Sequence, residues 1–167
     1  MIKRTPYLLL ALLVMACSSI DCPVDATVTT QYQIKNSDGT AWTLTDTMTV
    51  VSTRKDGVEV KLLDSVLYNK GINISEFSLP ISYSHPEDVL VFQFDNSDNN
   101  LHVTDTLWIK KYDYPHFESV DCNTTYFHTI TDVKYTSNYI DSIVIKNTSV
   151  TYDSKTVHFY LYPKSND

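Results

Sequence analysis

Apolar and polar residues alternate in the segment 42–52. Trp42, Leu44, Met48 and Val50 fall on one face, and a threonine occupies each odd position from 43 to 49. A period of two belongs to a β-strand with one buried face, because successive side chains in a strand point to opposite sides. No segment after residue 16 shows the helical period. The chain is therefore predicted to be all-β.

Nine further segments read as strands, with turn signals between them. Asn36-Ser37-Asp38-Gly39, Lys55-Asp56-Gly57 and Asn69-Lys70-Gly71 hold all three glycines and are predicted turns. Pro80 predicts an edge strand or a strand end, since proline donates no ladder hydrogen bond. This spacing predicts a single antiparallel β-sandwich, with a small β-barrel as the alternative. The nine segments are 28–35, 58–63, 72–81, 88–94, 101–112, 117–120, 127–135, 139–146 and 157–162.

The N-terminus has the pattern of an export signal. Lys3 and Arg4 precede a short apolar run, and Ala16 stands just before Cys17. The run is too short to span a bilayer as a helix, which takes about 20 apolar residues. We expect a signal peptide over 1–16, a short tether over 17–25 and a β-sandwich domain over 26–167. An ordinary signal peptide cleaved nearby, with Cys17 a free or paired thiol, is the alternative.

Ala16-Cys17 resembles the lipobox of bacterial lipoproteins. The resemblance implies cleavage before Cys17, diacylglycerol on its sulfur and acylation, as by palmitate, of its new amino group. Several acyl chains make a stable anchor where one does not. Ser18 follows the cysteine, where an Asp would suggest inner-membrane retention. We therefore expect a lipid anchor in the outer membrane, and leave open whether the domain is periplasmic or surface-exposed.

Charge and cysteine content fit an exported protein. Without Lys3 and Arg4, 11 of the 13 basic residues remain against 20 acidic ones, so the formal charge is near −9. An acidic domain does not collect phosphate, so nucleic acid is not an expected partner, and the lipid is the expected membrane link. Cys22 and Cys122 are left after Cys17 is lipidated, and outside the cytoplasm such a pair usually forms a disulfide. Two separate buried thiols are the alternative.

Two segments of the chain echo each other. Leu44-Thr45-Asp46-Thr47-Met48 and Val103-Thr104-Asp105-Thr106-Leu107 both place an aspartate on the apolar face of a strand. An unpaired buried carboxylate is costly. Each Asp therefore lies at a bulge or rim, or has a partner such as a Lys, a hydroxyl or a metal.

A three-residue pattern overlaps these aspartates. It consists of Asp, then Ser or Thr, then an aliphatic residue, and occurs four times. It resembles the O-glycosylation acceptor sequence of some anaerobic gut Gram-negative bacteria. The resemblance implies acceptor hydroxyls at Thr47, Ser65, Thr106 and Ser142.

Catalytic and metal-binding patterns are weak. The loop from Asp95 to Asn100 carries oxygen ligands for calcium but lacks the turn glycine and closing Glu of an EF-hand. The five histidines show no paired ligand spacing. Ser84-His85 lies near Glu87 and Asp88, yet without a nucleophile elbow, and neighbours in an extended chain point apart. We expect no catalytic residue, no metal and no cofactor.

Outward aromatic residues are the candidate binding groups. If Leu107 and Ile109 point inward, Trp108 points outward, and Tyr160 and Tyr162 point outward by the same alternation. Such rings could stack on a sugar or cover a partner protein. The alternative is that Trp108 lies under a loop or in a strand buried on both faces.

Six pieces of the chain are distinctive as a set: Cys17-Ser18-Ser19-Ile20-Asp21-Cys22-Pro23, Glu76-Phe77-Ser78-Leu79-Pro80-Ile81, Pro86-Glu87-Asp88-Val89-Leu90, His116-Phe117-Glu118-Ser119-Val120-Asp121-Cys122, Phe127-His128-Thr129-Ile130-Thr131 and Ile140-Asp141-Ser142-Ile143-Val144-Ile145. Together they resemble an uncharacterised family of small lipoproteins, with a domain of unknown function, from gut Gram-negative anaerobes. The family implies no activity or site. We predict a structural or accessory interaction module of the cell envelope that is not an enzyme. A glycan- or ligand-binding surface lipoprotein is the alternative, and a hydrolase is the weakest one.

Overall fold

The computed structural model describes Cys22, residues 27–56 and residues 59–164, with the backbone alone over 54–56 and 59–64. The expected signal peptide, and the tether apart from Cys22, lie outside the described residues. The described part of the chain contains no helix that is long and apolar enough to cross a membrane. It forms ten strands: β1 (Thr29–Ile34), β2 (Thr47–Asp56), β3 (Glu59–Gly71), β4 (Glu76–Pro80), β5 (Glu87–Asn96), β6 (Leu101–His116), β7 (Thr125–Tyr135), β8 (Ile140–Ile145), β9 (Ser149–Val150) and β10 (Phe159–Pro163).

The strands form two sheets that pack together, which confirms the β-sandwich. The smaller sheet has the order β4-β1-β10-β8 and the larger has the order β3-β2-β5-β6-β7-β9, and one of the two is curled into a half-barrel. The pairing of β1 with β10 is parallel, and the other strand pairs among the described residues are antiparallel. Because β10 lies between β1 and β8, the last of the described strands is central in the smaller sheet.

Alternation along the strands builds the core. In β5 the residues Leu90, Phe92 and Phe94 are buried, while their neighbours are partly exposed. Tyr32 of β1 lies fully buried between two phenylalanines, with ring centroids 4.8 Å from Phe77 and 4.9 Å from Phe159. Offset aromatic packing of this kind stabilises beyond the area it buries. Both sheets thus contribute rings to one core.

Three local predictions were wrong. Segment 117–120 is a loop, closed by a hydrogen bond of 3.2 Å from the Cys122 N–H to the Ser119 carbonyl. The segment 42–46 is not continuous strand: β2 starts at Thr47, and Leu44 makes only an isolated bridge to Ile74. The chain does not turn at 69–71, because β3 continues to Gly71.

The long strand β6 runs from one end of the sandwich to the other. One end, called here the tether end, carries the loops 81–86 and 117–124 together with Cys22, which is bonded to Cys122. The rings of Tyr83 in the loop 81–86 and of Tyr126 at the start of β7 stack with their centroids 4.7 Å apart. The far end carries the loops 72–75, 97–100 and 136–139. Pro80 ends the edge strand β4, which satisfies both parts of its prediction.

Candidate functional site

The outer face of the smaller sheet holds an open groove of about 790 Å³. Its aromatic walls are Trp42 and Tyr162, both half-buried. Trp42 also packs against the core, so its ring is held by the fold and does not move freely. Three charged side chains line the same groove: Asp38, Asp141 and Lys164. Aromatic rings beside charged side chains offer an apolar surface and polar partners to a bound molecule.

A tight turn between β1 and the groove places Trp42. Gly39 takes a φ of 83°, which a residue with a Cβ adopts only with strain. Asp38 closes the turn by accepting hydrogen bonds from the Thr40 hydroxyl (2.7 Å) and the Thr40 N–H (2.9 Å). These bonds lower the pKa of Asp38 below its ordinary value, the hydroxyl bond contributing most. The Asp38 carboxylate therefore stays ionised beside the groove.

Tyr160 lies on the same sheet face beside the groove. Its ring is flanked by two ammonium groups, Lys35 Nζ at 5.0 Å and Lys146 Nζ at 5.8 Å from the ring centroid. Gln33 is its neighbour on β1. Cations over an aromatic face attract its quadrupole and cover it. The Tyr160 ring is therefore already engaged by two cations, whereas Tyr162 and Trp42 line the groove itself.

The predicted trio Trp108, Tyr160 and Tyr162 does not form one cluster. Tyr160 and Tyr162 lie on β10 of the smaller sheet, whereas Trp108 lies on β6 of the larger one. Trp108 is half-buried on the outer face of its sheet between its cross-strand neighbours Val89 and Lys134. Sequence reasoning missed Trp42, because strict alternation assigned it wholly to the core. Its position three residues after the Gly39 turn was the available signal.

The predicted disulfide is present. Cys22 and Cys122 are bonded with their Cα atoms 5.6 Å apart and 100 residues separated in sequence. The bond fixes the start of the domain to the loop 117–124. Cys17, the predicted lipidation site, lies outside the described residues.

The four predicted glycosylation hydroxyls differ in accessibility. Ser65 on β3 is exposed, whereas Thr47, Thr106 and Ser142 are partly buried within strands. Ser142 lines the groove. Their modification stays a prediction.

The two echoing aspartates have partners. Asp105 is 1% exposed and accepts four hydrogen bonds of 2.7–2.8 Å from the loop 136–140. Asp46 accepts bonds from the Asn96 amide (2.5 Å) and the Tyr139 hydroxyl (2.7 Å). Of the alternatives, a partner is therefore correct for both residues, and the partners are hydroxyl, amide and backbone N–H groups. Their role in the described fold is to hold the far end together.

Ser84 and His85 do meet, contrary to the expectation for an extended chain. Ser84 Oγ lies 2.7 Å from His85 Nδ1, at a cavity of about 540 Å³ that also holds Glu87 and Asp88. Asp88 binds the hydroxyl and the N–H of Ser82. Among the described residues no carboxylate contacts the His85 ring, so the pair lacks the group that orients a catalytic imidazole.

A buried charged cluster supports the wall of this cavity. Lys111 Nζ lies 3.0 Å from both carboxylate oxygens of Asp113 and donates to the His85 carbonyl at 2.6 Å. His128 Nδ1 lies 2.6 Å from Asp113. Breaking a buried pair leaves an uncompensated charge, so we interpret this cluster as structural.

The side chains at and beside the loop 97–100, part of the segment with oxygen ligands for calcium, bond to other protein groups. Asp95 contacts His102 at 2.5 Å, and Asn96 binds both Asp46 and the Asp98 N–H. Over Cys22, 27–56 and 59–164, no group of three His, Cys, Asp or Glu residues is placed to hold a metal ion.

Fold and site together define a disulfide-bonded β-sandwich with an aromatic groove on its smaller sheet. The chain belongs to a family of unknown function, DUF6452, whose model matches residues 57–163. No curated protein and no solved structure matches the chain.

Proposed function

We propose that this protein is an exported lipoprotein, anchored by lipid on Cys17 in the outer membrane, and acts there as a non-catalytic structural or accessory interaction module. The observation that supports this most is the Cys22–Cys122 disulfide. It fastens the chain to the domain five residues after Cys17, so an anchored domain would be presented close to the membrane. Disulfides of this kind persist outside the cytoplasm.

The membrane, through the N-terminal lipid, is the first partner, and another envelope component is the second. The acidic formal charge argues against nucleic acid in either role. The groove, and not the Ser84–His85 pair, is the surface we assign to binding, because its charged groups lie beside two half-buried aromatic rings.

Intact mass of the protein from its native envelope fraction tests the anchor. We expect the mass of residues 17–167 plus acyl chains, with a gain of two hydrogen atoms, about 2 Da, when reductant converts the disulfide to two thiols. A C17S variant, which keeps the disulfide, should lose the acyl mass and leave the membrane fraction. An unmodified wild-type chain, or cleavage elsewhere, contradicts the proposal.

The same mass spectrum tests glycosylation. An increment of repeating sugar units would lead to Thr47, Ser65, Thr106 and Ser142, and single alanine variants would locate the modified hydroxyl.

A glycan ligand is the second candidate function, favoured by the Trp42–Tyr162 groove. A sugar ring offers an apolar face for the aromatic walls and hydroxyls for Asp38, Asp141 and Lys164. Screening the full protein in detergent against a glycan array, followed by titration, tests this. W42A or Y162A should weaken binding by roughly tenfold.

The matched control is Y112A, because Tyr112 is exposed on the other sheet. Binding that is lost equally in Y112A, or retained in both groove variants, removes the groove as the glycan site.

A further inference from the structure

The loop 117–124 at the tether end presents large apolar side chains to solvent. Phe117 is 64% exposed, and Val120, at the tip of the turn, is 98% exposed. Folding alone does not explain such exposure, because the hydrophobic effect favours burying both side chains. Neighbouring exposed apolar residues mark a contact surface.

The loop 117–124 also carries the disulfide that joins the start of the domain to its body. The hydrogen bond from Cys122 to Ser119 closes the turn that carries Val120, and Cys122 is bonded to Cys22. Cys17 precedes Cys22 by five residues, which span at most about 18 Å in any conformation. A lipid on Cys17 would therefore keep the bilayer within reach of Phe117 and Val120.

Aromatic residues surround the loop. Tyr83, 64% exposed, stacks on Tyr126 next to it, and Tyr112 is exposed on the adjacent part of β6. Tyrosine is enriched where proteins meet the membrane–water boundary, because its ring is apolar and its hydroxyl is polar.

The negative charges of the loop 117–124 indicate which lipid headgroups it can approach. Glu118 and Asp121 are exposed beside the apolar pair, and His116 lies 2.9 Å from Glu118. Carboxylates are repelled by anionic headgroups. A surface of neutral, zwitterionic lipid is therefore the favoured partner.

We infer that the loop 117–124 is a membrane-contacting tip, whose Phe117 and Val120 side chains enter the interfacial region of the bilayer to which the protein is anchored. This inference rests on the proposed lipid anchor. The lipid anchor attaches the protein to the membrane, and contact of the loop 117–124 with the bilayer fixes the orientation of the domain. In this orientation the far end of the sandwich points away from the lipid.

Fluorescence quenching by brominated lipid tests the tip. The full, lipidated F117W protein is placed in phosphatidylcholine vesicles with and without brominated acyl chains, and the wild-type signal of Trp42 and Trp108 is subtracted. Amphipathic segments sit roughly 5–10 Å into this boundary, within range of the quencher. The added tryptophan should be quenched at least about threefold more than that of I72W.

Ile72 is the matched control because it is exposed at the far end of the sandwich. A third variant, F117W with C22S and C122S, should lose most of the quenching, since the tether is no longer fastened beside the loop. Retention of the full quenching there overturns the role given to the disulfide.

Intact mass separates the two possible failures. A preparation without acyl chains refutes the anchor itself. A lipidated F117W protein that is quenched no more than I72W overturns the tip while the anchor stands. Sedimentation as a dimer in detergent, together with unquenched F117W, assigns the loop to a second copy and also overturns it.

Discussion

The phenolic hydroxyl of Tyr139 donates a 2.7 Å hydrogen bond to the carboxylate of Asp46, 93 residues earlier in the chain. The backbone N–H of Tyr139 donates to Asp105 at 2.8 Å. The two aspartates with similar sequence surroundings, Asp46 and Asp105, thus both accept hydrogen bonds from Tyr139. Burial first, and then the bond and charge of Asp46, raise the pKa of Tyr139 above its ordinary value, so the phenol keeps its proton at neutral pH.

The Asp46–Tyr139 bond should contribute measurably to stability. We expect Y139F to lower the free energy of unfolding by about 1–2 kcal/mol, since a hydrogen bond to a charged acceptor is lost and the ring is kept. Urea denaturation of the oxidised protein measures this. Y112F, at an exposed ring, should change stability by less than about 0.5 kcal/mol. Equal effects of the two variants would contradict the assigned role.

Asp105 should be the costliest aspartate to remove. Because D105A leaves three backbone N–H groups and the Thr136 hydroxyl without their acceptor, we expect a loss of about 3–5 kcal/mol in unfolding free energy. The matched control is D141A, where an exposed aspartate occupies the same three-residue pattern. A D105A protein as stable as D141A would show that the loop finds other partners.

The buried imidazole of His158 leads us to expect that the free energy of unfolding decreases in mild acid. Its Nδ1 accepts a hydrogen bond from the Gln31 N–H at 2.9 Å, and its Nε2 lies 3.1 Å from the Ser149 carbonyl, so the ring is held neutral. Burial lowers its pKa below the ordinary value, although the Ser149 bond and Asp153 act in the opposite direction. The unfolded chain therefore binds this proton more readily than the folded one.

The resulting stability is fully present above the unfolded pKa, about 6.5, and is lost as the pH falls below it toward the folded pKa. Urea midpoints at about pH 7.5 and about pH 5 should differ less for H158Q than for wild type. H102Q, which removes an exposed ring, should keep the wild-type difference. An H158Q protein with the full wild-type difference would assign the pH dependence to other groups.

Removing the disulfide should destabilise the domain. In the loop-entropy model, releasing a 100-residue loop in the unfolded chain costs about 3–5 kcal/mol of stability, and often less in practice. Thermal unfolding of the C22S/C122S variant, compared with wild type with and without reductant, checks this. Reduced wild type should match the variant. If oxidised wild type unfolds at the same temperature as the C22S/C122S variant, the disulfide does not stabilise the domain and constrains only the position of its first residues.

Local pattern was sufficient to predict most strands. The segments leading to β1, β5, β7, β8 and β10 were recognised because burial on one face imposes a period of two on a few neighbouring residues. Segment 117–120 was misread as a strand for the same reason. Its apolar residues, Phe117 and Val120, are exposed in a loop, and composition cannot distinguish a buried apolar side chain from an exposed one.

The candidate site was predicted only in part. Alternation correctly turned Tyr160 and Tyr162 outward, but it could not show that they and Trp108 belong to different sheets. Trp42 was missed because its ring both packs on the core and lines the groove. The groups of Tyr139 that donate hydrogen bonds to Asp46 and Asp105 lie more than 30 residues away in the chain, so no local spacing could predict these bonds.

By itself the sequence determined an all-β chain and the inward and outward faces of its main strands, and it predicted the pairing of Cys22 with Cys122. These follow from side-chain period and from the number of cysteines. Only the tertiary structure decided that β10 inserts between β1 and β8, that Trp42 and Tyr162 line one groove, and that Phe117 and Val120 are exposed in the loop that holds the disulfide-bonded Cys122. The physical reason is that strand order depends on pairings between distant segments, which the whole core selects together.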